Sequence, residues 1–235
     1  MSAKKTYILF FIIISFQCFS QNEYELLFYN CKANAIGTIH DGINIGIINI
    51  YDNITNEKID YKEGNFSGEY IFKTTNLKVK IEYKNIFDQK IDTILKLDSN
   101  IKNHFICEET FIDNDSNKTS IEHSLEKRKK WKLNFLSSGC FHYDNESLEI
   151  RYINKVAYLE YKIRDSLKKT LILNENIISR LILFEKKLKL MDKPNSGCTT
   201  TDVYEIKSKY GKYKILDSSC LWDGFFELKK EIELK

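Results

Sequence analysis

Leu77-Lys78-Val79-Lys80-Ile81-Glu82-Tyr83-Lys84 alternates apolar and charged residues for eight positions. Successive side chains of an extended chain point to opposite faces, so this run offers one face to a core and one to water, a pattern no helix can use. Other short runs share the period: 43–51 (INIGIINIY), 69–73, 90–97 and 104–107. Between them stand Asp52-Asn53, Glu63-Gly64-Asn65 and Asp98-Ser99-Asn100, residues that favour turns. Short strands at regular spacing predict an antiparallel sheet with one buried face and, over residues 21–110, a small β-sandwich. The chain has one Pro and nine Gly in 235 residues, which excludes collagen-like and Pro-rich or Gly-rich repeats.

Residues 1–20 read as an export leader. Lys4-Lys5 precede the apolar run 7–16 (YILFFIIISF), and Cys18 and Ser20 are small residues placed for cleavage after Ser20. A lasting membrane anchor needs about 20 apolar residues, so the mature chain is expected to have no membrane span and to be secreted or periplasmic. The alternative is a lipoprotein anchored through Cys18, against which Gln17 stands where a small residue is wanted. Removing Lys4 and Lys5 leaves 34 basic against 33 acidic residues, so the net charge falls from +3 to +1. Phosphate binding needs a clustered cationic surplus, so no nucleic-acid partner is expected. The one cluster, Lys127-Arg128-Lys129-Lys130-Trp131-Lys132, reads as the solvated end of a polar linker at 111–130 that leads into a strand. A short helix at 120–130 would have little to pack against.

Five cysteines remain after cleavage, at 31, 107, 140, 198 and 220, and an exported chain pairs such residues. Cys198 and Cys220 bracket an expected hairpin, 201–208 with 212–217, whose ends must meet, and they form the first expected disulfide. Cys31 with Cys107 is the second, which would leave Cys140 free; the alternative pairs Cys140 with Cys198 or Cys220.

Residues 131–235 are expected to form an α+β domain in ββα-ββα order. Strands at 148–152 and 156–163 form a hairpin through Asn154-Lys155, with a further strand at 169–173. Ile177, Leu181, Phe184 and Leu188 then make a helical stripe with Asn174 as its cap, and Phe225, Leu228 and Ile232 make a last one capped by Asp223. Ser138-Gly139-Cys140 and Ser196-Gly197-Cys198 repeat one tripeptide, as two duplicated units would.

Gly37-Thr38-Ile39-His40-Asp41, Ile48-Asn49-Ile50-Tyr51, Gly64-Asn65-Phe66 and Val79-Lys80-Ile81-Glu82-Tyr83 resemble the carboxypeptidase-regulatory-like domain family. The resemblance covers residues 32–110, and Asp60-Tyr61 replace the family's Thr-Asp pair. It implies a prealbumin-like β-sandwich that acts as a spacer or binding module and has no catalytic residues.

Cys140 and His142 stand two residues apart, and a thiol close to an imidazole is what a cysteine nucleophile and its base need. Ser137-Ser138-Gly139-Cys140 resembles the Ser-x-Gly-Cys segment of L,D-transpeptidases, which implies Cys140 as the nucleophile. The family's following Arg is His142 here, and its upstream His-Gly pair is absent. Cys140, His142, Cys198 and Cys220 hold the right atoms for a Cys₃His zinc site but lack any C-x₂-C or H-x₃-H spacing, and no metal or cofactor is expected. Bonding Cys198 to Cys220 would instead gather Asp202, Tyr204, Asp217 and Trp222 at one end of a hairpin, a candidate binding edge. The sequence therefore predicts an exported binding protein whose partner is another protein or a glycan. Its alternative is a cysteine-dependent envelope enzyme using Cys140 and His142.

Overall fold

The computed structural model describes residues 21–29, 48–65, 68–107, 109–194 and 196–234. The leader at 1–20, Cys31, the family-like segment 37–41, Phe66 and the first part of the strand expected at 43–51 lie outside the described residues. The chain is β-rich and divides into two units, one drawn from Met1–Asn85 and Lys90–Thr110 and the other from Ile86–Gln89 and Phe111–Lys235.

The first unit holds β1 (Asn22–Tyr29), β2 (Asn49–Asp52), β3 (Lys58–Ile59), β4 (Tyr61–Glu63), β5 (Glu69–Thr74), β6 (Lys78–Lys84), β7 (Lys90–Lys96) and β8 (Asn103–Cys107). They form two four-stranded sheets in the orders β4-β5-β1-β8 and β3-β2-β6-β7. The alternating run becomes β6: Val79, Ile81 and Tyr83 are buried, whereas Leu77 precedes the strand and is 55% exposed. β1 is a strand for the same reason, because Tyr24, Leu26 and Phe28 alternate into the core. It pairs antiparallel with β5 but parallel with β8, which corrects the expectation of a wholly antiparallel arrangement. Phe28 of the first sheet meets Tyr83 of the second edge to face, with ring centroids 4.9 Å apart.

The second unit holds α1 (Ser120–Glu126), β9 (Trp131–Ser138), β10 (Tyr143–Ile153), β11 (Val156–Ile163), β12 (Ser166–Ile172), α2 (Glu175–Leu188), β13 (Thr201–Ser208), β14 (Gly211–Asp217) and α3 (Gly224–Glu231). Its six strands form one antiparallel sheet in the order β12-β11-β10-β9-β13-β14. Four strands precede α2, against two in the ββα order: β12 is the further strand expected at 169–173, and β9 adds a full member at the centre of the sheet. Trp131, Leu133 and Phe135 of β9 enter one core with Ile177, Leu181 and Phe184 of α2 and Phe225 and Leu228 of α3. On the opposite face Glu149, Arg151, Glu160 and Lys162 form a ladder of ion pairs 3.1–3.2 Å long.

The segment expected as a linker carries α1, whose Ile121 is fully buried in that core. Thr119 and Glu122 close a capping box, and the buried Glu185 of α2 accepts from the Ser120 and Ile121 amides at 2.7 and 3.1 Å. Asn174 caps α2 through Ile177 N at 2.9 Å, as its position predicts. Asp223 makes no side-chain capping bond at α3. The two Ser-Gly-Cys tripeptides occupy different places: the first begins the turn after β9, and the second leads into β13. Among the described residues no helix is long and apolar enough to cross a membrane.

Cys198 and Cys220 are bonded, with Cα atoms 5.8 Å apart. Cys107 is disulfide-bonded; its expected partner, Cys31, lies outside the described residues. Cys140 is free and exposed.

Candidate functional site

The register of the six-stranded sheet sets Asp144 of β10 opposite Ser137 of β9, Ser137 opposite Asp202 of β13, and Asp202 opposite Asp217 of β14. Two residues along the strands the same face reads Glu146, Phe135, Tyr204 and Ile215. The core face thus ends in a polar rung, because side chains that share a face repeat every second residue. A cavity of about 350 Å³ opens there, lined by Ser137, His142, Asp144, Thr200, Asp202 and Asp217. Trp222, Asp223 and Phe226 complete its wall beside Cys220 of the disulfide.

Ser137 is buried and joins two side chains. Its hydroxyl donates to Asp202 Oδ1 at 2.6 Å and lies 2.9 Å from His142 Nε2. A hydroxyl has one proton, so with that proton on the carboxylate bond, His142 Nε2–H is the donor to Ser137. The order is carboxylate, hydroxyl, imidazole. A nucleophilic triad needs the imidazole between the other two so that it can take the hydroxyl proton, and Ser137 is therefore a bridge rather than an activated nucleophile. The tight turn holds this geometry: Gly139 N donates to His142 O at 3.1 Å, and a Cβ on Gly139 would lie 2.6 Å from His142 Cε1.

Burial raises the pKa of Asp202 above the ordinary carboxylate value, the Ser137 bond works against it, and the nearby Asp217 and Asp223 add to the rise. Asp217 is likewise raised by burial, opposed by its bonds from Ser219 N and Oγ at 2.9 and 2.5 Å. Like charges opposite one another on a sheet repel, so this rung takes up protons, cations or hydrogen-bond donors more readily than a lone aspartate.

The structure thus brings Asp202, Asp217 and Trp222 to one cavity, as the disulfide-closed hairpin predicted. Tyr204 is corrected to a core residue: it is buried against Phe135 at 5.1 Å, and its hydroxyl reaches Asp202 Oδ2 at 3.4 Å from below. Trp222 is 3% exposed and stacked on Phe184, so it is a wall and not an open contact anchor. Its ring also covers the start of α3, where a Cβ on Gly224 would lie 2.2 Å from it. Cys140 sits in the turn beside the fully exposed Phe141. No hydrogen bond joins it to His142 among the described residues, so the expected thiol–imidazole pair is not formed. The alternative zinc set is also broken, because Cys198 and Cys220 are bonded to each other; no group of three metal-ligating side chains occurs among the described residues. Asp144, Asp223 and Phe226 were not anticipated as site residues. The signal for Asp144 was its distance from the Gly139 turn, which fixes it opposite Ser137 once β9 is recognised as a strand.

No protein family, curated protein or solved structure matches the chain.

Proposed function

We propose that the protein is an exported, non-catalytic binding protein of the cell envelope that recognises another protein or a glycan at the polar rung of its second unit. Under this reading residues 1–20 are removed on export and the mature chain is secreted or periplasmic; lipid attachment at Cys18 is the alternative. The first unit is a β-sandwich of the carboxypeptidase-regulatory-like kind, supported by the Phe28–Tyr83 contact between its two sheets. The second is an α+β domain with its helices over one sheet face.

The observation that carries the proposal is the Asp202–Ser137–His142 bridge. It occupies the groups a catalyst would need free and leaves the carboxylates of Asp144 and Asp223 at the rim of the same cavity. Carboxylates accept hydrogen bonds from sugar hydroxyls and from lysine or arginine side chains, and Phe226 adds an aromatic face to the rim. An array of glycans and of envelope proteins, probed with the mature protein and with D144N/D223N, tests this. The expected result is one ligand class whose binding weakens at least tenfold in the variant. Equal binding by both proteins, or no ligand for either, would sink the proposal.

The second reading is the cysteine-dependent enzyme, favoured by one observation, the free and exposed thiol of Cys140. It requires His142 to leave Ser137. C140S separates the two: it leaves partner binding unchanged under the first reading and abolishes turnover of envelope substrates under the second.

A further inference from the structure

A second hollow, of about 530 Å³, lies between the β11–β12 hairpin and α3. Its apolar surface comes from Tyr161, Ile163, Phe226 and Leu234. Phe226 is 40% exposed beside it, so a large apolar ring faces water on this side of the helix. The volume falls within the range of small-molecule sites, about 300–1,000 Å³.

All the charged residues lining this hollow are lysines: 168, 169, 229 and 230. Lys229 is spoken for. It bonds both carboxylate oxygens of the buried Glu146 at 2.7 and 2.8 Å and lies over the Phe225 and Phe226 rings at 5.3 and 4.8 Å. Lys169 donates to the backbone carbonyl of Glu233, a neutral acceptor that leaves its charge uncompensated. Lys168 and Lys230 have no carboxylate partner among the described residues. An apolar floor under a cationic rim is complementary to a molecule with the reverse design, an apolar body and one anionic end.

We infer that this hollow binds a small amphiphilic anion, an alkyl carboxylate whose chain lies on Phe226, Ile163 and Leu234 and whose headgroup meets Lys168 and Lys230. This lysine-rimmed hollow shares Phe226, and no other lining residue, with the acidic cavity of the polar rung.

Calorimetric titration of the mature protein with sodium decanoate, below its aggregation concentration, tests it. The expected result is saturable one-to-one binding that weakens about fourfold for each methylene removed in octanoate and hexanoate. Decanol, with the same chain and no charge, binds at least tenfold more weakly, and K168E/K230E loses decanoate binding by at least tenfold. Lys168 and Lys230 are exposed, and K168Q/K230Q serves if the charge reversal fails to fold. Absence of saturable decanoate binding overturns the inference. So does equal binding of decanol, or a folded lysine variant that binds decanoate as the wild type does.

Discussion

Asp217 is 3% exposed, faces Asp202 across the strands and has its pKa raised by burial. A carboxyl with a raised pKa in the folded state holds its proton more readily there than in the unfolded chain. Stability therefore falls as pH climbs from the ordinary aspartate value, about 3.9, through the raised one. D217N retains an acceptor for Ser219 and has no charge to develop, so it should gain on the wild type between about pH 3.5 and pH 7. Urea midpoints at the two pH values check this, and a constant difference between the proteins would refute it. Ser137 gives the complementary case. S137A leaves Asp202 Oδ1 short of its 2.6 Å donor in a half-buried position, and an acceptor stripped in this way costs about 1 kcal/mol, the low end of the range for buried groups. Equilibrium unfolding should show that loss, and a variant as stable as the wild type would contradict the bridge.

At the scale of elements, α1 shows most clearly what pattern reading misses: a short helix fits residues 120–130, but nothing local shows what it packs against. Residues 111–130 are polar and charged, and a helix of seven residues with one large buried apolar side chain leaves little periodic signal. Its anchor is a single residue 64 positions away, Glu185, which also accepts from Trp131 Nε1 at 3.2 Å. E185A would leave the Ser120 and Ile121 amides buried without that acceptor, while the Trp131 indole keeps the Ser120 hydroxyl at 3.1 Å. At about 1–3 kcal/mol for each unsatisfied group it should be among the most damaging single changes in the second unit. E185Q keeps one acceptor oxygen and should recover part of the loss in the same denaturation assay. By contrast α2, β6 and the β13–β14 hairpin were legible, because their apolar residues repeat at 3.6 or 2 and their ends carry Asn174 or turn residues. β1 was not recognised as a strand, because Leu26-Leu27 breaks its alternation, and β9 was expected only as a strand following the run of lysines, without its bounds or its pairing.

Over the whole molecule, the chemistry of the site was legible as residue types and not as an arrangement. Asp202, Asp217 and Trp222 stand near two cysteines whose bond could be anticipated from the hairpin between them. That Ser137 lies between His142 and Asp202, and that Asp144 joins the row, depends on the pairing of β9 with β10 and β13, which no local pattern encodes. Cysteine accounting offers a test at this scale. With Cys198–Cys220 formed, Cys107 bonded and Cys140 free, the denatured, non-reduced protein without residues 1–20 should take up a single carbamidomethyl group, mapped to Cys140, when Cys107 is paired with Cys31 as the sequence predicts. Labelling at Cys198 or Cys220 would be incompatible with the described disulfide.

The central position of β9 also sets an order of events. Its partner β10 follows through a tight turn, so Ser137 and His142 can meet early, five residues apart. Asp202 arrives only after a further 60 residues and a helix have been placed, since it is 65 positions from Ser137, and closing so long a loop is slower than forming a hairpin. Refolding followed by Trp222 fluorescence should therefore lag behind formation of the β9–β10 hairpin; simultaneous appearance would contradict this order. A nascent chain that has not yet delivered β13 carries the imidazole and the hydroxyl without the Asp202 carboxylate, so the polar rung stays incomplete until the segment from Thr201 onward, about the last sixth of the chain, has docked.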